Sequence, residues 1–149
     1  MTMPMWMLLG FATWTVLLLF FTVGVYRWSR ILTGRIPIAD FKADKVEGED
    51  WYRRAMRAHA NCIENLPVFG AIVFALFVSG VGGPTVNYLS ISVLAARIVQ
   101  SLVHVSFAQT NSVVAVRFTF FCIQIASFLM LIAMIVRSTG LTGWNSPGL

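Results

Sequence analysis

Charged residues are scarce in this sequence of 149 residues: they make up 11% of it, whereas a soluble domain carries about 25%. Hydrophobic residues account for 58%, and the mean hydropathy is +0.78. This shortage of charge argues against a soluble monomer. The length suits one domain covering residues 1–149, and no internal repeat or low-complexity segment divides it.

Cysteine is also rare, and the two that occur, Cys62 and Cys122, both fall within predicted helices. They form neither a CxxC motif nor a zinc-type pair, so the sequence predicts no metal site. We interpret both as small buried hydrophobic residues. The net charge of +5 comes without a basic patch interleaved with exposed aromatic residues, which argues against a nucleic-acid partner.

Four long apolar runs predict an all-α integral membrane protein folded as a four-helix bundle. A helix needs about 20 mainly apolar residues to cross the hydrocarbon core, and we expect helices at about 5–28, 50–80, 84–108 and 112–138. The second reaches that length only if part of the polar stretch before Leu66 belongs to it. No basic residue precedes the first run, and its apolar core is too long for a secretory signal, so we interpret it as a retained transmembrane helix.

The basic residues predict the orientation of the chain. Eight of the eleven lysines and arginines lie in or beside the first loop: Arg27, Arg30, Arg35, Lys42, Lys45, Arg53, Arg54 and Arg57. The connection at 79–84 has none. Because loops rich in positive charge stay on the cytoplasmic side, we expect the first loop in the cytoplasm and both termini on the outer side. No retention tail is visible, which favours a bacterial inner membrane over the endoplasmic reticulum.

The stretch RRAMRAHANCIENLP, residues 53–67, concentrates polar groups just ahead of an apolar run. On a helical wheel with about 100° per residue, five of them form one stripe and His59 lies on another face. The stripe consists of Arg53, Arg54, Arg57, Asn61 and Glu64. The apolar run from Leu66 spans only about 25 Å, so a hydrocarbon core about 30 Å thick draws Glu64 below the interface. A charge there costs roughly 3 kcal/mol unless it faces a partner or a cavity, so we expect the stripe to point inward.

Matching polar groups are predicted on the third and fourth helices. Arg97, Gln100 and His104 share one face of the third helix. Arg117 and Gln124, seven residues apart, share a face of the fourth. The crossing directions bring His104 and Arg117 to the cytoplasmic half, where the polar stripe begins, and leave Arg97 one to two turns deeper.

Two interpretations of this constellation remain open. It can be an internal salt-bridge network that fastens the helices together, with Glu64 and Arg97 as its natural ion pair. The arginines outnumber the carboxylates within the bundle, however. Uncompensated arginines facing a membrane pocket indicate an anionic ligand bound through a carboxylate or phosphate group.

The segment RAMRAHANCIENLPVF, residues 54–69, closely resembles the signature of the MAPEG family, the membrane-associated proteins in eicosanoid and glutathione metabolism. That signature is roughly R-x-x-R-A-x-x-N-x-x-E-x-x-P-x-F. It is matched by Arg54, Arg57, Ala58, Asn61, Glu64, Pro67 and Phe69. The four predicted helices, the basic first loop and Arg97 agree with this family, and the chain looks like its microsomal glutathione S-transferases.

The resemblance implies a homotrimer that binds glutathione as a co-substrate between neighbouring subunits, on the cytoplasmic side. The implied glutathione-binding residues are Arg54, Arg57, Asn61, Glu64 and Arg97, and the implied catalytic residues are Arg117 and His104. Arg117 resembles the helix-four arginine that lies near the thiol, where a cation lowers a thiol pKa from its usual value near 8.5. Many members carry a tyrosine where this chain has His104, and some have a serine in place of Phe118.

The function implied is a membrane-bound glutathione transferase or peroxidase, which conjugates the glutathione thiolate to hydrophobic electrophiles. Its partners would be glutathione, membrane lipid, and a lipophilic electrophile or hydroperoxide. Two other classes stay open: a non-catalytic membrane binding or scaffold protein with the same fold, and a transporter or channel subunit. The repeats and broken helices of many transporters are not evident. Glutathione binding, measured together with conjugation of a generic aryl halide, separates the first two classes.

Overall fold

The computed structural model describes residues 1–41 and 48–143, and four long helices dominate these ranges. We number them α1 (Met3–Leu32), α2 (Asp50–Ser79), α3 (Pro84–Ser106) and α4 (Asn111–Gly143). A π-helical segment, Leu19–Gly24, interrupts α1. The two basic loop residues Lys42 and Lys45 lie outside the described residues.

Each helix is long and apolar enough to cross a membrane. Because lipid offers no hydrogen bonds to the backbone, helices that satisfy their own backbone are the stable way to cross it. The prediction of an all-α membrane four-helix bundle is therefore confirmed. The polar stretch ahead of Leu66 is part of α2, which runs unbroken for 30 residues and past Pro67.

Short connections make α2, α3 and α4 antiparallel neighbours. Gly80 ends α2 with a left-handed φ of 67°, a conformation that glycine adopts without steric cost. Pro84 occupies the first turn of α3. Proline is well suited there, because a backbone N–H at that position has no hydrogen-bond acceptor within the helix. The connection from α3 to α4 covers only residues 107–110. These turns place the start of α2, the end of α3 and the start of α4 at the same end of the bundle.

Aromatic rings fill the centre of the bundle. Phe69 on α2 packs between Phe11 on α1 and Phe128 on α4, with ring centroids 5.9 Å apart in both pairs. All three side chains are buried. Many other large apolar side chains are exposed, including Phe74, Phe77 and others along every helix. An apolar surface of this extent suits lipid rather than water.

A second cluster ties the end of α1 to the start of α2. Tyr26 stacks on Tyr52 with centroids 4.1 Å apart, and Trp51 meets Tyr26 edge-on. The Nε of Arg27 donates a hydrogen bond to the Tyr52 hydroxyl at 2.8 Å. Arg30 lies over the Tyr26 ring with its Cζ 4.5 Å from the centroid. These aromatic and cationic contacts therefore hold together the two helix ends that flank the first loop.

Candidate functional site

Three arginines act electrostatically on His104 at the end of the bundle where α2 begins. His104 is 4% exposed on the last turns of α3. The charges of Arg117, Arg57 and Arg54 all act on it, in that order of strength. Arg57 and Arg117 also act on each other, and the Nε of Arg54 donates to the Val105 carbonyl at 3.4 Å. Residues from three helices thus converge on one cationic cluster.

The cluster has almost no carboxylate to balance it. Glu64 is the only acidic side chain in the sequence after Asp50. Among the described residues, ion pairs join Arg30 to Glu49 and Arg53 to Asp50, and none involves the arginines beside His104. Like charges held together repel, and an anion bound between them relieves that repulsion. The cluster therefore has an excess of positive charge that the chain itself does not balance.

Arg97 lies deeper and is enclosed by neutral groups. It is 1% exposed and sits seven residues before His104, about 10 Å further along α3 at 1.5 Å per residue. Its Nη2 donates to the Oε1 of Gln124 at 2.6 Å, and its Cζ lies 5.6 Å from the centroid of the Phe11 ring. Within the described residues, its buried Nε has no hydrogen-bond partner. The bundle centre thus contains a positive charge that no adjacent carboxylate neutralises.

Two glutamines extend this contact from α3 to α4. The Nε2 of Gln124, which is 0% exposed, donates to the Oε1 of Gln100 at 3.3 Å. Gln100 in turn donates from Nε2 to the backbone carbonyl of Arg117 at 3.2 Å. A continuous hydrogen-bonded chain therefore runs from Arg97 to the backbone of Arg117.

Cys62 joins α2 to the same region. Its thiol is 0% exposed, and its Sγ lies 3.5 Å from the Oγ of Ser101. Ser101 donates to the Arg97 carbonyl at 2.8 Å, and Cys62 acts electrostatically on the Arg97 guanidinium. This cysteine is buried as predicted, whereas Cys122 is exposed on α4, so the prediction that both are buried is wrong for Cys122.

The prediction that the polar stripe of α2 points into the bundle is wrong for the single subunit. Arg53, Arg57 and Glu64 are exposed, and Arg54 and Asn61 are partly buried at the edge of the packed face. The interior face of α2 is instead formed by Tyr52, Ala55, Ala58, Cys62 and Phe69. Small side chains such as those of Ala55 and Ala58 let neighbouring helices approach closely, which favours that face for packing.

The expected ion pair between Glu64 and Arg97 is also absent from the described contacts. Glu64 follows Cys62 by two residues and so lies about 200° further round the helix. Because Cys62 faces Ser101 and the Arg97 region, Glu64 faces out of the subunit. Its charge still acts on Arg97, but Gln124 takes the hydrogen-bonding place predicted for it.

His59 lies apart from the site, in agreement with its separate face on the wheel. It is partly buried against α1, where the backbone of Thr15 approaches it. At the opposite end of the bundle, a cavity of ≈ 210 Å³ lies between Pro4, Leu76 and Asn87. None of the predicted site residues lines that cavity.

Sequence reasoning placed Gln100 and Gln124 on polar faces but assigned them no role. Their spacing to Arg97 and Arg117 gave no sign that the two amides would bond to each other across α3 and α4. Ser101 was missed entirely, since a serine inside an apolar helix is common and usually bonds to its own backbone. Only the packing of α2 on α3 brings it against Cys62.

The four membrane-crossing helices define a polytopic membrane protein with a cluster of uncompensated arginines near one end of its bundle. A scan against protein-family models matches the MAPEG family over residues 5–137. Since the match covers most of the sequence, this chain belongs to the MAPEG family. Comparisons with curated proteins and with solved structures gave no significant match. Family membership supports a membrane-bound role in glutathione or eicosanoid metabolism in general, and the family includes glutathione transferases and related enzymes.

Proposed function

We propose that the protein is a membrane-bound glutathione transferase or peroxidase, which joins the glutathione thiolate to hydrophobic electrophiles. The observation that carries this proposal is the cluster of arginines around buried His104. Glu64 is the only carboxylate side chain in the last two thirds of the sequence, so the cluster needs an anion from outside the chain. Within this family, glutathione is the anionic ligand that the residues fit best.

Glutathione has two carboxylates and one ammonium group, and the proposed site offers a partner for each. Arg54 and Arg57 on α2 can clamp a carboxylate through paired N–H donors. Exposed Glu64 can meet the ammonium, and Asn61 lies between these charges on the same helix. Arg97, the deepest cation, adds to the positive potential that attracts the peptide. Glutathione serves as a co-substrate in this reaction, and no metal takes part.

In the proposed chemistry, Arg117 pairs with the sulfur of bound glutathione and stabilises it as the thiolate. A nearby cation favours the ionised form of a thiol, and the low dielectric of the membrane strengthens the pairing. His104 supplies a hydrogen bond to the same sulfur, where many relatives use a tyrosine. The sulfur then attacks a carbon of the lipid-dissolved electrophile, a carbon–sulfur bond forms, and the leaving group departs with the electron pair.

We further propose that the protein is a homotrimer in which the exposed flank of α2 faces a neighbouring subunit. Arg57 and Glu64 are exposed in the single subunit although they lie on a membrane-crossing helix, and a partner subunit would shield them from lipid. We expect light scattering in a mild detergent to give three times the mass of one chain after subtraction of detergent. A monomer mass that persists with glutathione added would contradict the trimer.

The proposed location is a bacterial inner membrane, with the loop between α1 and α2 in the cytoplasm and both termini outside. The arginines at the end of α1 support this orientation. Arg27 is hydrogen-bonded to Tyr52, and Arg30 is paired with Glu49, so both are held at that end of the bundle.

The substitution Arg57→Ala tests the assignment of the binding site. We expect it to weaken glutathione binding at least about tenfold, because a charge-assisted pair with a carboxylate contributes about 1.5–3 kcal/mol. The measurement is isothermal titration calorimetry on the purified protein in detergent. Arg53→Ala is the matched control, since Arg53 lies one turn away on α2 and is paired with Asp50.

Normal binding by the Arg57→Ala variant would contradict the site while leaving the activity possible. If the unmodified protein binds no glutathione at millimolar concentration, the transferase itself is wrong. Binding without conjugation of a generic aryl halide would favour the second candidate, a non-catalytic binding or scaffold protein. The observation that favours this candidate is His104, which replaces the tyrosine of many relatives.

A further inference from the structure

The hydrogen-bonded chain from Arg97 to the Arg117 carbonyl has one fixed direction. A guanidinium can only donate, so the atom of Gln124 that faces Arg97 must be the oxygen Oε1. The Gln124 amide nitrogen then points to the Oε1 of Gln100, and the Gln100 nitrogen points to the Arg117 carbonyl. The arginine charge therefore sets the orientation of both amides, and the chain ends as a donor to the backbone of α4.

This contact matters because it adds a directional polar constraint to the packing of Phe128 of α4 on Phe69. The helix is apolar on nearly every side, with exposed Phe118, Phe121 and Leu129 on its outer surface. Lipid is as apolar as these side chains, so burial of hydrophobic surface does not select which face of α4 turns inward. Gln124 does, because an amide left in hydrocarbon without partners is costly. It is 0% exposed and lies on the same face as buried Ser127 and Leu131.

Arg117 shares that face. It precedes Gln124 by seven residues, which is about 20° of rotation and about 10 Å along the helix. Any rotation that displaces Gln124 from Arg97 therefore carries Arg117 away from His104 by a similar angle. The bond from Gln100 to the Arg117 carbonyl fixes the same turn from the side of α3.

We infer that Gln100 and Gln124 are positioning residues that hold α4 in the rotation at which the Arg117 guanidinium meets the sulfur of bound glutathione. This inference rests on the proposed transferase function. Neither glutamine touches the ligand in this arrangement. They act through Arg117, and the buried charge of Arg97 orients them.

The substitution Gln100→Leu removes the last bond of the chain and leaves the pair of Arg97 and Gln124 in place. We expect kcat for conjugation of an aryl halide to fall about ten- to a hundredfold, because small misplacements of a catalytic group have effects of that size. The KM for glutathione should change little, since its other contacts lie on α2 and α3. Gln109→Leu is the matched control: it makes the same change in the exposed connection before α4 and should behave as the unmodified protein.

The substitution Gln124→Glu separates positioning from structural support. A carboxylate at this position still accepts from Arg97 and adds an opposite charge, so the variant should fold and keep its thermal stability. It can no longer donate to Gln100, however, so the direction of the chain is broken. We expect a fall in kcat and a weaker thiolate absorbance of bound glutathione without loss of stability. A purely structural role for Gln124 predicts that kcat and the thiolate absorbance both stay unchanged.

A reporter that needs no activity completes the test. In a Cys122→Ala background, Arg117→Cys places a thiol on the face of α4 that carries Gln124. The backbone carbonyl of residue 117, which accepts the hydrogen bond from Gln100, is kept. The labelling rate of this thiol with a water-soluble maleimide should change severalfold when Gln100→Leu is added and stay constant with Gln109→Leu. An unchanged rate, together with unchanged kcat, overturns the inference. If the protein never turns over glutathione, the proposed function falls, and the labelling rate alone still decides whether these glutamines set the rotation of α4.

Discussion

Replacing Arg117 with methionine is expected to lower kcat for glutathione conjugation by about 10²–10³-fold, the usual effect of removing one group that stabilises developing or resident negative charge at a reaction centre. Arg117 is the cation with the strongest effect on His104, and its Nε is buried without a hydrogen-bond partner among the described residues. Methionine preserves much of the side-chain length and removes the charge.

The measurement combines steady-state kinetics with the ultraviolet absorbance of the glutathione thiolate. Both kcat and the thiolate signal should fall in the Arg117→Met variant, while Arg117→Lys should retain part of each because it keeps a cation. Arg137→Met serves as the control, since Arg137 is an exposed arginine further along the same helix. A thiolate signal of normal size in the Arg117→Met variant would show that another group ionises the sulfur.

The second large effect concerns the buried charge of Arg97. We expect the protein to tolerate the substitution Cys62→Asp, although position 62 is 0% exposed, because the new carboxylate lies beside the Arg97 guanidinium. When Arg97→Met is added, the same carboxylate is left buried and unpaired. The double variant should lose about 3–5 kcal/mol in free energy of unfolding relative to Cys62→Asp alone, the usual cost of removing one partner of a buried ion pair.

A double-mutant cycle measured by denaturant titration in detergent gives this coupling directly. Cys62→Asn is the matched control, because it has nearly the same shape as aspartate without the charge and should show little coupling to Arg97→Met. Equal destabilisation by Cys62→Asp with and without Arg97 would mean that the arginine charge is already balanced from elsewhere. The stability of the single Arg97→Met variant completes the cycle.

The second helix illustrates how far the sequence alone could go. Its periodicity correctly grouped Arg54, Arg57 and Glu64 on one stripe and set His59 apart, because spacing on a helix fixes relative angles. The periodicity did not reveal which face of α2 packs against the neighbouring helices. Close packing against α1 and α3 selected the face with Ala58 and Cys62, and the stripe was left on the flank.

The ion pair predicted between Glu64 and Arg97 failed for the same reason. Both residues lie at compatible depths, and the attraction of opposite charges made the pair reasonable. Depth follows from position in the sequence, whereas the facing direction follows from contacts among several helices. Arg97 instead found Gln124, a residue of α4 that no local pattern connects to it.

The sequence by itself determined that this is a four-helix membrane protein with more arginines than carboxylates, because composition and run length decide what can reside in lipid. Its short motif also predicted the MAPEG family to which the chain belongs. Only the tertiary structure decided that two glutamines link Arg97 to the backbone of Arg117. The physical reason is that lipid does not select which apolar face turns inward, so the rotation of each helix is settled by close packing and by the few polar contacts it makes with its neighbours.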